Sequence, residues 1–113
     1  MLVCFTFLAR AGKEEEFEVL LNNEEGGKAV ARAMGATRNA LFLSPGRMVR
    51  IMEFPDGAKP PTLLDVARKD PKVMDFLRKI GPMIEDGFDV DHPETLEAFN
   101  RRALVPLAYD VRL

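Results

Sequence analysis

The sequence is poor in the residues that usually betray a chemistry. It holds one cysteine, Cys4, and one histidine, His92. A single cysteine cannot close an internal disulfide, and without a Cys/His cluster there is no zinc pattern. Neither a metal nor a cofactor is expected. Basic residues are not in excess: the net charge is -2. A nucleic-acid binder usually carries a basic stripe, so that partner class is set aside. No apolar run is long enough to span a bilayer, and no membrane partner is expected. The apolar opening Met1 to Leu8 resembles the core of a secretion signal, but it lacks a basic flank and soon meets Glu14-Glu15-Glu16. A strand in a cytoplasmic protein is the better reading. No internal repeat or low-complexity tract is present.

What is there reads as one globular domain over 1–113. The chain is 47% hydrophobic and 30% charged, enough apolar material for a core without disulfides or metal. Residues 2–8 are strand-like and stop at Ala11-Gly12. Residues 13–22 read as a helix, with three glutamates suiting the N-terminal dipole and Phe17, Leu20 and Leu21 on one face. The run Asn22 to Gly27 is expected to break that helix, with a further short helix at 28–34. Strands at 36–43 and 48–54 flank Ser44-Pro45-Gly46-Arg47, a hairpin turn by composition. Thr62 can cap a short helix, and Asp70-Pro71 starts another. Gly81-Pro82 ends it, and 85–91 is an acidic loop without EF-hand spacing. Pro93 opens a helix with Leu96, Phe99 and Ala103 on its stripe. A strand at 104–112 closes the chain, with Pro106 at an edge or bulge. The expected class is therefore α+β: a ferredoxin-like βαββαβ fold with extra helices and a four-stranded antiparallel sheet.

The strands do not alternate apolar with polar, as a sheet with one wet face should. Leu2, Cys4 and Leu8 oppose Val3, Phe5 and Phe7. In the last strand Val105, Leu107, Tyr109 and Val111 oppose Leu104 and Ala108. Both faces ask for burial, while helices cover only one. A homodimer packed sheet to sheet, a dimeric α/β barrel, is the expected answer; a large internal pocket would use the same apolar surface.

One resemblance emerges from a run of segments. These are Thr37-Arg38-Asn39-Ala40-Leu41-Phe42-Leu43, Val49-Arg50-Ile51-Met52-Glu53 and Pro82-Met83-Ile84-Glu85. Asp89-Val90-Asp91-His92-Pro93-Glu94 and Arg102-Ala103-Leu104-Val105-Pro106-Leu107 follow. Over roughly residues 36–109 the chain resembles the SchA/CurD-like family, small proteins associated with bacterial polyketide and spore-pigment pathways. The resemblance implies a dimeric α/β barrel and an aromatic polyketide-tailoring context, with no catalytic motif to carry over. Where the family usually has an aspartate before the proline of the acidic loop, this chain has His92.

Few residues are candidates for chemistry. His92 is the one side chain that ordinarily titrates near neutrality, a candidate general base or haem ligand, although a cap or loop role is preferred. Arg50 sits between Val49 and Ile51 and so points to the opposite face from them. There its planar fork would clamp a carboxylate or enolate; an ion pair with Glu53, Glu85 or another carboxylate is the plainer alternative and the preferred one. Arg38, Asn39 and Tyr109 are further candidate ligand contacts, Tyr109 being equally at home in packing. Cys4 reads as a small apolar residue, and Met48, Met52, Met74 and Met83 as core or adaptable pocket lining. Two functions follow. One is an enzyme, a cyclase or cofactor-independent monooxygenase acting on a flat aromatic molecule. The other is a non-catalytic dimeric module that binds a ligand or steadies a partner.

Overall fold

A computed structural model of the chain describes residues 1–22 and 24–113. It is α+β, with a four-stranded antiparallel sheet and five helices, compatible with a ferredoxin-like fold. Strand β1 (Leu2–Leu8) is followed by α1 (Glu14–Asn22) and α2 (Glu24–Met34). The hairpin of β2 (Arg38–Ser44) and β3 (Arg47–Glu53) comes next, then α3 (Leu63–Lys69), α4 (Pro71–Ile80), α5 (Pro93–Ala103) and β4 (Leu104–Val105). The sheet order is β2-β3-β1-β4. No described helix is long and apolar enough to cross a membrane.

Local chemistry explains the boundaries. The hairpin turns on Pro45-Gly46, with Ser44 opposite Arg47 and Gly46 at φ 72°, a conformation glycine adopts without strain. Thr62 Oγ1 accepts the Asp65 N–H at 3.1 Å and caps α3. Asp70 Oδ1 accepts the Lys72 N–H at 2.9 Å and caps α4, with Pro71 at its first position. In α1 the buried Phe17 and Leu21 lie one turn apart, behind an acidic first turn. Phe17 has no exposed surface, and burial of that ring contributes about 1.5–3 kcal/mol.

Two expectations are corrected. The second helix begins at Glu24, so Gly26 and Gly27 lie inside it and do not break it; of the expected break, Asn23 lies outside the described residues. Each glycine costs a helix about 1 kcal/mol of propensity. The compensation is close packing. A Cβ on Gly26 would overlap the Phe76 ring of α4, and one on Gly27 would stand 3.0 Å from Arg50 Nη2. The closing strand is also shorter than its composition promises. Only Leu104 and Val105 pair with β1, opposite Phe5 and Cys4. Pro106 has no N–H to donate, and residues 106–113 are exposed and carry no regular structure.

The register sorts the sheet into two faces. Phe5 lies opposite Arg50, which lies opposite Leu41; Val3 and Asn39 flank Met52, and Phe7 and Leu43 flank Met48. These residues share the face that the helices cover, since Met48 and Met52 are buried in it. The other face carries Leu2, Cys4, Ala40, Val49 and Ile51, all half-buried, and the exposed Phe42, Leu8 and Val105.

Candidate functional site

The covered face of the sheet is not packed solid. A cavity of about 330 Å³ lies between it and the helices. Its wall is largely aromatic and aliphatic: Phe5 and Phe7 from β1, Met48 and Met52 from β3, Phe76, Leu77 and Ile80 from α4, and Phe99 from α5. Phe7 meets the edges of Phe17 and Phe99, with ring centres 5.8 and 5.4 Å apart, and Phe88 stands 4.9 Å from Phe99. Such edge-on pairs hold rings in place and keep a wall shaped. Among the residues that line the space, Thr62, Asn100, Arg101 and Arg50 carry polar side-chain atoms.

Arg50 is the exceptional one. It is 8% exposed, the one buried charged residue of the described chain. Its Nε is buried without a hydrogen-bond partner. No ion pair among the described residues reaches its guanidinium. The expected salt bridge to Glu53 or Glu85 is therefore not made. Glu53 is the reason in part: three places along β3, it projects from the opposite face of the sheet. Burial alone pushes the Arg50 guanidinium below its ordinary pKa. Arginine nonetheless keeps its proton, so the site is a positive charge held in an apolar wall.

Arg50 also borders a second space, of about 490 Å³. Arg32 from α2, Thr37, and Arg38 and Asn39 from β2 line that groove. The structure thus brings Asn39 and Arg50, which share the covered face, to one place, while Arg38, opposite Glu53 in the register, borders the groove from a position on the other face. It does not bring the others. Tyr109 is 80% exposed on the segment after β4 and lines neither the cavity nor the groove. His92 sits at the start of α5, exposed, with Nδ1 3.1 Å from Asp89 Oδ2. It makes no side-chain cap. Thr95 organises the turn: its Oγ1 accepts the Asp89 N–H at 2.9 Å and lies 2.7 Å from the His92 carbonyl. The Asp89 carboxyl is held below its ordinary range, first by the Asp91 N–H and then by the hydrogen bond with His92. Asp91 in turn pairs with Arg78 at 2.9 Å.

A broader cleft of about 740 Å³ runs along this loop. Of the charged groups that line it, Asp89, Asp91 and Arg78 are hydrogen-bonded to one another or to the backbone, and Arg102 donates to the Asp86 carbonyl, which makes this part a braced surface turn. The smaller apolar cavity is the better candidate, because its wall carries Arg50 Nε, the one buried side-chain polar atom without a partner among the described residues, and the cleft along the loop does not. No group of three or more metal-ligating side chains occurs among the described residues.

Sequence reading missed most of the cavity wall. Met34, Phe76 and Phe99 join Met48 and Met52 in it, whereas Met74 and Met83 pack against the core. The available signal was Gly26-Gly27 within an otherwise amphipathic segment, a mark of close approach. Compared with known proteins, the chain matches no family model and no curated sequence.

Proposed function

We propose that the chain is a small-molecule-binding protein of the polyketide or aromatic secondary-metabolite tailoring type, which takes a hydrophobic aromatic ligand into the cavity between sheet and helices. The observation that carries this reading is the cavity itself. About 330 Å³ of space, walled by phenylalanine and methionine, is at the lower end of the range of about 300–1,000 Å³ for ligand sites. The resemblance to SchA/CurD-like proteins supplies the pathway context, and the cytoplasm is the compartment this reading assumes. If the protein is an enzyme, a cyclase or cofactor-independent monooxygenase is the type the wall permits. The wall offers no carboxylate or imidazole as general base among its lining residues. Its contribution would be to orient a reactive substrate and to stabilise negative charge on an enolate or phenolate.

A second reading has its own support. The outer sheet face leaves Phe42 61% exposed beside half-buried Val49 and Ile51, and a second copy would cover it. On that reading the chain is a non-catalytic dimeric α/β-barrel module. The homodimer is common to both proposals; ligand binding separates them.

The test is thermal unfolding against a panel of neutral fused-ring aromatics at fixed protein concentration. A ligand present at a hundred times its Kd stabilises the fold by about 2.7 kcal/mol, a clear rise in Tm. No rise with any member of the panel, together with a dimer in solution, would leave the non-catalytic module as the account.

A further inference from the structure

The cavity reading says where a ligand goes; the charge at its edge says what kind of ligand it is. We infer that the site takes a monoanionic amphiphile, with an apolar ring body in the cavity and one carboxylate or enolate head on Arg50. The inference rests on the cavity reading above. Three observations carry it. Arg50 is 8% exposed and its Nε has no hydrogen-bond partner. Among the described residues, no carboxylate lines the cavity that it borders. Arg50, with Leu21, lines both the apolar cavity and the open groove that holds Arg38 and Asn39.

A lone buried cation is an incomplete ion pair. Burial disfavours its charged form, and an anion brought beside it restores what water no longer supplies. The guanidinium suits this role better than an ammonium, since its flat fork meets a carboxylate through two parallel N–H donors. The position of Arg50 also orients the ligand. The phenylalanine and methionine wall suits the body. The head belongs at the border, where Asn39 shares the covered face with Arg50 and lines the groove. A neutral hydrocarbon would fill the cavity but leave the Nε unpaired, so selection for negative charge is built into the site.

The probes are naphthalene-2-carboxylate and its neutral isostere naphthalene-2-carboxamide, titrated at pH 7 by isothermal calorimetry. The proteins are the native chain and Arg50→Met and Arg50→Lys variants, each checked for the native circular dichroism. The expected result is at least tenfold tighter binding of the carboxylate by the native protein. Arg50→Met should equalise the two probes while still binding the amide, and Arg50→Lys should retain part of the preference. Equal binding of both probes by the native protein would overturn the inference and leave the cavity reading standing. So would a carboxylate preference that survives Arg50→Met. Binding of neither probe by the native protein or by Arg50→Met would overturn the cavity reading, and this inference with it.

Discussion

Replacing Arg50 by methionine should make the free protein more stable. The change removes a charge that is 8% exposed, has an unpartnered Nε and has no ion pair among the described residues. It substitutes a flexible apolar chain beside Met48 and Met52, which already pack there. Desolvating an ion costs several kcal/mol even after relaxation, and exchanging buried ionic groups for apolar ones of similar volume stabilises by about 1–4 kcal/mol. Arg50 also borders the open groove, where water relieves part of the penalty, so the lower half of that range applies, about 1–2 kcal/mol. At about 4 °C per kcal/mol for a domain of this size, Tm should rise by about 4–8 °C. The pH dependence has a definite sign. The folded-state pKa of Arg50 is depressed, so the charged form is penalised by folding at every pH where arginine stays protonated. The gain should therefore be flat from about pH 5 to pH 9. The assay is thermal and urea unfolding followed by circular dichroism, with both proteins at one concentration so that dimerisation does not enter. A loss of 1 kcal/mol or more in Arg50→Met would refute the reasoning, because it would mean that the guanidinium is compensated in the free protein.

Four other outcomes are expected. Gly26→Ala should destabilise the fold by about 1–3 kcal/mol, measured by urea unfolding, because its Cβ would overlap the Phe76 ring; a gain from the better helix propensity would contradict the packing. Thr62→Ala should cost about 1 kcal/mol through the lost cap of α3, whereas an unchanged urea midpoint would show that the bond to the Asp65 N–H contributes nothing. Asp89 has a depressed folded-state pKa, so its contribution is full above the unfolded value of about 3.9 and is lost as pH falls through the lower folded value. Asp89→Asn should flatten the acid limb of the stability curve, and an unaltered acid limb would count against it. Ile51→Lys, on the outer sheet face, should shift the protein to a monomer in sedimentation velocity; a native chain that is already monomeric at high micromolar concentration would remove the dimer from the account.

The frame was legible because it rests on local rules. Runs of β-prone residues bounded by breakers marked β1 and the hairpin, Pro45-Gly46 marked the turn, and Thr62 and Asp70-Pro71 marked two helix starts by side chains that do cap them. Where local and tertiary terms compete, the sequence misleads. Gly26-Gly27 reads as a breaker because intrinsic propensity is all a short window contains; the ring of Phe76 and the head of Arg50 that call for glycine there are far along the chain. The apolar composition of 104–112 promised a long strand, but pairing stops at Val105, and Pro106 has no N–H to donate to the ladder. The candidate site was half legible. Alternation around Arg50 gave its direction, since Val49 and Ile51 face the other way. Its isolation was not readable, because carboxylates that look near in sequence, such as Glu53, project from the other face of the sheet. Tyr109 drew notice for what its side chain can contact and His92 for being the one histidine, and neither property has a geometry.

Three features of the molecule bear on Arg50 and point the same way. Apart from Asn39 on the edge strand, the covered sheet face is otherwise apolar, so an aliphatic residue at this position would be cheaper by the penalty worked out above. Helix α2 carries two consecutive glycines at a propensity cost of about 2 kcal/mol, and one of them leaves room for the guanidinium itself. The aromatic wall stops short of filling the space beside it. A structural arginine would need none of these: it would be paired, its neighbouring helix would use alanine, and its surroundings would close. A buried charge with an unpartnered Nε, a helix thinned to admit it and a gap left next to it fit together if something else supplies the missing contacts. Arg50→Met separates the two accounts in one protein, since a binding residue should trade a gain in stability for a loss of anion affinity, and a structural residue should lose stability.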